Sequence, residues 1–183
     1  MAESPATVPA IRAIRDDERA RLAGLIRAGW GSPVITSRGL AHEASQLPCL
    51  VAVDGERWLG VAVYRLDGDE CELVLLEAFQ HGHGVGTALL GATAEVARKS
   101  NSRRLWLVTT NDNLDALRFY QRRGMRLVRL WVDATTEARR TLKPEIPLVG
   151  EHGIPLRDEL ELELILGDTA DTPANRADHR GEA

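Results

Sequence analysis

Nowhere in this chain do roughly 18 apolar residues run together, so its sequence offers no membrane-spanning helix. The opening Met-Ala-Glu-Ser-Pro-Ala-Thr-Val-Pro lacks both the basic n-region and the apolar h-region of a secretion signal, and a cytoplasmic location is expected. Excess positive charge is absent too. A net charge of −4 and an isoelectric point near 5.8 argue against a general nucleic-acid or anionic-membrane binder, though not against a local basic patch. Cysteine is scarce: Cys49 and Cys71 fall on predicted strands, where two thiols in a reducing compartment read as small buried hydrophobes rather than a disulfide. Neither stands in a Cys-His pattern that would make it a nucleophile. His81 and His83 lack a third ligand at a usual zinc spacing, and no metal is expected.

What is present suits one domain. The 183 residues are 44% apolar, enough for a sizeable core and too few for a second full domain. Residues 1–9 read as a loose arm, 10–167 as the domain, and 168–183, polar and poor in large apolar residues, as a disordered tail. A first strand is expected near Ile11–Ile14, followed by a helix over 17–28 capped by Asp16. The mixed stretch 31–48 reads as broken helix or loop. Apolar runs at 50–53 and 58–64 bracket Asp54-Gly55, a hairpin signal. The run 71–77 is apolar on both faces, as a central strand would be. A helical stripe then covers 85–99, and Leu105–Val108 reads as a strand joined to 71–77 by a crossover that requires the two to be parallel. A helix from Asn113 closed by Gly124, a strand over 125–132 and an alternating strand over 159–166 complete the series. The fold class is α/β in the α+β sense: a mixed, mostly antiparallel sheet with one parallel β-α-β crossover, flanked by helices.

Chemistry concentrates in Gln80-His-Gly-His-Gly-Val-Gly-Thr-Ala-Leu-Leu90, where alternate glycines stand between an apolar strand and a helix. Glycines at 82, 84 and 86 let the backbone approach an anion, and N–H groups at the helix start point at it. Two phosphate motifs fail here. Leu89 and Thr87 stand where a dinucleotide fingerprint needs glycine, and no Lys-Ser/Thr pair follows for a P-loop. A tight turn without a ligand remains the plain alternative. Further on, Asn113-Leu-Asp-Ala-Leu-Arg-Phe-Tyr120-Gln-Arg-Arg-Gly124-Met125 follows the strand at 105–108.

Together the two motifs resemble the GNAT superfamily of acetyl-CoA-dependent N-acyltransferases, whose loop reads Arg/Gln-x-x-Gly-x-Gly/Ala and whose next helix reads Asn-x-x-Ala-x-x-Phe-Tyr-x-x-x-Gly-Phe. His81 and Met125 are the departures, and a neutral imidazole supplies less charge to a pyrophosphate than arginine. The resemblance spans roughly residues 11–166. It implies acetyl-CoA as co-substrate, held by His81, Gly82, His83, Gly84, Val85, Gly86 and Thr87, by Asn113 and Tyr120, and by the edge of Val74, Leu75 and Leu76. It also implies that the strands ending near Leu76 and Val108 splay to admit the pantetheine arm.

Acyl transfer to an amine needs an acid for the leaving thiolate. Tyr120, two helical turns after Asn113, is the candidate, because a phenol of pKa about 10 suits a thiol near 8.5; as an isolated pair, Phe119-Tyr120 would read as core aromatics. Asn113 either contacts pantetheine or caps its helix. A base must neutralise the amine, with Glu77 the first choice and Glu72 or Glu70 substitutes acting through water; Glu70 and Glu72 also read as hairpin-edge charges. The N–H of Leu76 is the expected oxyanion donor. Glu159, Glu161 and Glu163 read as a solvated strand face, with an acidic lip for a cationic amine as the alternative. Trp30, Arg38, His42 and Trp131 are candidates for contact with the acceptor, whose class stays open. The expected partners are acetyl-CoA and an amine acceptor, with a homodimer open, and without nucleic acid or membrane. A non-catalytic acyl-CoA sensor or a protein-interaction module on the same fold is the alternative to an enzyme.

Overall fold

Short apolar runs broken by glycine turns build most of this molecule. The computed structural model describes residues 9–80 and 83–167. The expected arm except Pro9, His81, Gly82 and the expected tail lie outside the described residues. Strand β1 (Ala10–Ala13) leads through a 3-10 turn at Asp16–Glu18 into helix α1 (Arg19–Trp30), which stops at Gly31 with φ of 73°. Strands β2 (Val34–Ser37) and β3 (Leu40–Glu43) form a separate hairpin. Strands β4 (Cys49–Asp54), β5 (Arg57–Asp67) and β6 (Glu70–Ala78) follow as a meander that turns at Gly55 and Gly68, both at positive φ. Helix α2 (Val85–Lys99) crosses to β7 (Arg104–Thr110), followed by α3 (Leu114–Gln121), β8 (Arg126–Trp131), α4 (Ala134–Thr141) and β9 (Glu159–Ile165).

The seven-stranded sheet runs β1-β4-β5-β6-β7-β9-β8, and every pairing is antiparallel except β6 with β7. Helix α2 covers one face, where Leu73, Leu89, Leu105, Leu107 and Leu162 are buried together. Helix α1 covers the other, with Leu22, Ile26, Val51, Val61 and Val63. Each such side chain contributes about 1.5–3 kcal/mol when removed from water. At Gly60 a Cβ would lie 2.6 Å from the Glu77 carbonyl and 2.9 Å from Val85, so only glycine lets α2 sit this close to the sheet. An irregularity in β5–β6 pairing between Val63 and Tyr64 breaks the alternation: adjacent Val74 and Leu75 both pack toward α1, whereas Leu73 and Leu76 pack toward α2.

Three expectations are corrected. No side chain of Asp16 caps the first helix; instead Glu18 accepts from the Arg15 N–H at 2.9 Å and from Arg12, tying β1 to the helix start. The stretch 31–48 is not broken helix or plain loop but the β2–β3 hairpin and a 3-10 turn at Ala44–Gln46. The face carrying Glu159, Glu161 and Glu163 is not solvated. Glu159 and Glu161 are buried, because the β2–β3 hairpin reaches over them: the Arg38 N–H donates to Glu159 at 2.9 Å.

Candidate active site

Parallel pairing of β6 with β7 stops after Glu72–Trp106, although β6 runs on to Ala78 and β7 to Thr110. The two strands therefore part toward their C-terminal ends. A groove of about 1100 Å³ occupies that side, between the end of β6, the start of α2 and helix α3. At its floor, Gly84 takes a left-handed conformation, φ 75°, as N-cap of α2, and no side chain caps that end. Ala88 donates to Gly84, so the preceding amides of Val85, Gly86 and Thr87 have no partner one turn back within the helix, and they line the groove with the positive end of the helix dipole. Gly86 lies against Phe119, and a Cβ there would meet the ring at 3.1 Å. His83 is exposed.

Helix α3 forms the opposite wall. The Asn113 side chain accepts from the Ala116 N–H at 2.9 Å, so it caps the helix while also lining the groove. Tyr120, two turns on, reaches the groove from a buried position and packs edge-on against Phe119 with centroids 5.1 Å apart. Burial pushes its phenol pKa up, and the nearby Glu77 carboxylate pushes it further the same way. Three arginines absent from the sequence expectations, Arg118, Arg122 and Arg123, complete this wall. Arg123 lies over the Phe119 ring at 3.6 Å and donates to the Thr87 hydroxyl at 2.8 Å, bridging the end of α3 to the start of α2.

On the α1 side of β6 lies a second cavity of about 260 Å³. Glu77 borders both spaces. The pattern of a family model for the acetyltransferase (GNAT) family matches residues 13–125. The chain is 41% identical over 134 residues to Uncharacterized protein YxbD of Bacillus subtilis (strain 168), covering 73% of this chain and 84% of that one. The chain belongs to the acetyltransferase (GNAT) family.

Solved structures show the same fold. An IAA acetyltransferase from Bacillus cereus ATCC 14579 superposes with a TM-score of 0.62 at 21% identity, covering 85% of this chain and 98% of that one. A Bacillus subtilis acetyltransferase in complex with CoA gives 0.62 at 20% identity, over 86% and 98%. As a GNAT protein the chain is an acyltransferase. No helix among the described residues is long and apolar enough to cross a membrane.

In this GNAT chain the remaining expected residues distribute unevenly. Of the β6 edge, Leu76 lines the groove, Leu75 lines the smaller cavity, and Val74 packs with the α1 core. Glu72 borders neither space: it is buried, accepts from Arg65 at 3.2 Å, and lies 3.7 Å from His42. Glu70 pairs with Arg103 and, at 2.8 Å, with Arg104. Arg104 also reaches Glu161 at 3.1 Å and Glu163 at 3.0 Å, and the Trp131 indole donates to Glu161 at 2.9 Å. Burial raises the Glu159 carboxyl pKa, with the Arg38 N–H opposing that rise. Arg38 sits between Trp106 and Trp131, at 4.5 and 5.1 Å from their ring centroids. Both cysteines are free and buried, and burial pushes each thiol up to about 12, consistent with inert core residues. The arginine wall left one trace in the sequence, Arg118 followed four and five residues later by Arg122 and Arg123, which reads equally well as a solvated helix end.

Proposed function

We propose that this protein transfers an acetyl group from acetyl-CoA directly to a primary amine, with donor and acceptor bound together. The observation that carries the reading is Glu77, which borders both cavities beside the point where β6 and β7 part. Acetyl-CoA lies in the groove. Its pyrophosphate takes the amides of Val85, Gly86 and Thr87, with Arg118, Arg122 and Arg123 offsetting its charge. His81, Gly82 and His83 complete the loop in this assignment. The pantetheine arm follows the β6 edge at Val74, Leu75 and Leu76, which β7 leaves unpaired, and Asn113 on the opposite wall is assigned to donate to it. CoA bound by the Bacillus subtilis neighbour supports this choice of donor.

The chemistry follows from two neighbouring groups. Glu77 takes the proton of the ammonium, and the neutral nitrogen attacks the thioester carbonyl, whose developing oxyanion meets the Leu76 N–H. As the C–N bond forms and the C–S bond breaks, Tyr120 gives its proton to the departing thiolate; the second proton of the acylated nitrogen then returns through water to the phenolate, and Glu77 releases its proton to solvent. Burial and the Glu77 carboxylate hold that proton on Tyr120 beforehand. Once Glu77 is protonated, its charge no longer opposes phenolate formation, so the acid strengthens in the same turnover that needs it. Glu72, held by Arg65 away from both cavities, has no part in this assignment.

Calorimetry with acetyl-CoA, followed by a free-thiol assay over an amine panel, tests the reading. Heat of binding and thiol release with at least one amine are expected. Folded protein that gives no heat at millimolar acetyl-CoA would sink the donor assignment, and binding without thiol release from any amine would favour a sensor.

A further inference from the structure

Helix α1 carries an apolar stripe toward the sheet at Leu22, then Leu25 and Ile26, then position 29, the spacing of one buried face. Position 29 holds glycine. Nothing lies within 4 Å of where its Cβ would stand and Gly29 is itself exposed, so the stripe ends in a hollow that opens to solvent. That hollow belongs to the 260 Å³ cavity, whose walls are Leu25 and Ile26 from α1, Val61 from β5 and Leu75 from β6. Trp30 and Phe79, both more than a third exposed, stand at its rim. Among the described residues lining it, Glu77 alone is ionisable, and Glu77 also borders the donor groove.

We infer that the acceptor is a small primary amine on a compact apolar body, which fills the hollow left by Gly29 and presents its nitrogen at Glu77. The inference rests on the acyl-transfer reading above and adds the acceptor class. Three features of the cavity support it. Among the described residues, its inner walls at Leu25, Ile26, Val61 and Leu75 offer no side-chain partner for a second ammonium, a hydroxyl-rich ring or a peptide backbone, and polar groups buried against them unpaired are costly. Its volume, just below the ~300–1,000 Å³ of pockets for drug-sized ligands, has room for a small apolar group. The one carboxylate among its described lining residues, Glu77, also borders the donor groove, so an amine is oriented with its nitrogen toward the thioester and its apolar end toward α1.

The test measures thiol release at saturating acetyl-CoA with phenethylamine, isoamylamine, ethylamine, spermidine and a short peptide with a free N-terminus. Phenethylamine and isoamylamine should exceed spermidine and the peptide in kcat/KM by at least roughly tenfold, the scale on which apolar pockets discriminate. Gly29→Leu puts a side chain into the hollow and should lower the kcat/KM ratio of phenethylamine to ethylamine by roughly tenfold or more, acting through KM. Trp30→Ala opens the rim and should shift preference toward a bulkier naphthylmethylamine, which keeps the inference testable if Gly29→Leu fails to fold. Preference for spermidine or the peptide, with normal heat of acetyl-CoA binding, would overturn the acceptor class and leave the acyl-transfer reading standing. An unchanged phenethylamine-to-ethylamine ratio in folded Gly29→Leu would overturn it as well. Absence of acetyl-CoA binding would overturn both readings.

Discussion

At the scale of residues, the proposed chemistry turns on Tyr120 and Glu77. Tyr120 is buried and lines the groove, so in the proposed mechanism its ring packs while its hydroxyl serves the reaction. Tyr120→Phe preserves that packing and removes the proton, so turnover should fall roughly 10²–10⁴-fold while calorimetric affinity for acetyl-CoA stays near wild type. Retained turnover would show that another group protonates the thiolate. The electrostatic link between the pair has its own signature. Because the Glu77 carboxylate helps raise the Tyr120 phenol pKa, Glu77→Gln should lower it. The chain has two tyrosines, so ultraviolet titration in a Tyr64→Phe background reads Tyr120 alone. An unchanged titration after Glu77→Gln would mean that the two groups do not sense each other and that the proposed strengthening of the acid does not occur.

Between elements, single polar side chains do the joining. Arg123 links the end of α3 to the start of α2 through Thr87, and in the proposed complex it faces the CoA phosphates. Arg123→Ala should weaken acetyl-CoA binding by roughly tenfold, the scale of one charge-assisted contact of about 1.5 kcal/mol, with a steeper loss at low salt. Glu18 joins β1, α1 and β5, since it accepts from Arg12 at 2.6 and 2.7 Å and from the Trp58 indole at 3.4 Å. Arg12, opposed by burial and helped by the Arg15 N–H, holds its carboxyl down at about 2. An unfolded glutamate titrates near about 4.3, so the folded state binds fewer protons between those values and loses stability as pH falls through them. This contribution is fully present above the unfolded value. Urea unfolding from pH 6 to pH 3 should show the decline, and Glu18→Gln should flatten it; an equal slope in both proteins would place the acid sensitivity elsewhere.

For the molecule as a whole, the parting of β6 and β7 opens a groove through the middle of an otherwise continuous sheet. Any ligand that fills it contacts β6, α2 and α3 together and binds only the folded chain. Acetyl-CoA at about 100 times its Kd should therefore add about 2.7 kcal/mol, or roughly 5–10 °C in Tm for a chain of this length. A thermal melt with and without acetyl-CoA checks this, and a shift that falls to about half in Arg123→Ala at the same concentration ties it to the groove.

Local chemistry made much of this legible without coordinates. Helix α2 occupies the residues its stripe marks, Asp54-Gly55 turns the β4–β5 hairpin, Gly124 closes α3 at φ 85°, and the crossover forces β6 and β7 parallel, because periodicity, turn geometry and crossover length act over short stretches. The acceptor of the Asn113 side chain was likewise readable as a cap, one turn away. Alternation along β9 revealed two faces but could not say what covers them. The cover is Arg38, 121 residues before Glu159, and it turns two supposedly solvated glutamates, Glu159 and Glu161, into a buried ionic layer. The arginine wall was hidden for the same reason, since a basic helix end acquires a role only when another element stands opposite it. The hollow under α1 needed both sides: the sequence determined that position 29 has no side chain, and only the packing of β5 and β6 against that helix decided that the open last turn borders a cavity walled by Val61 and Leu75.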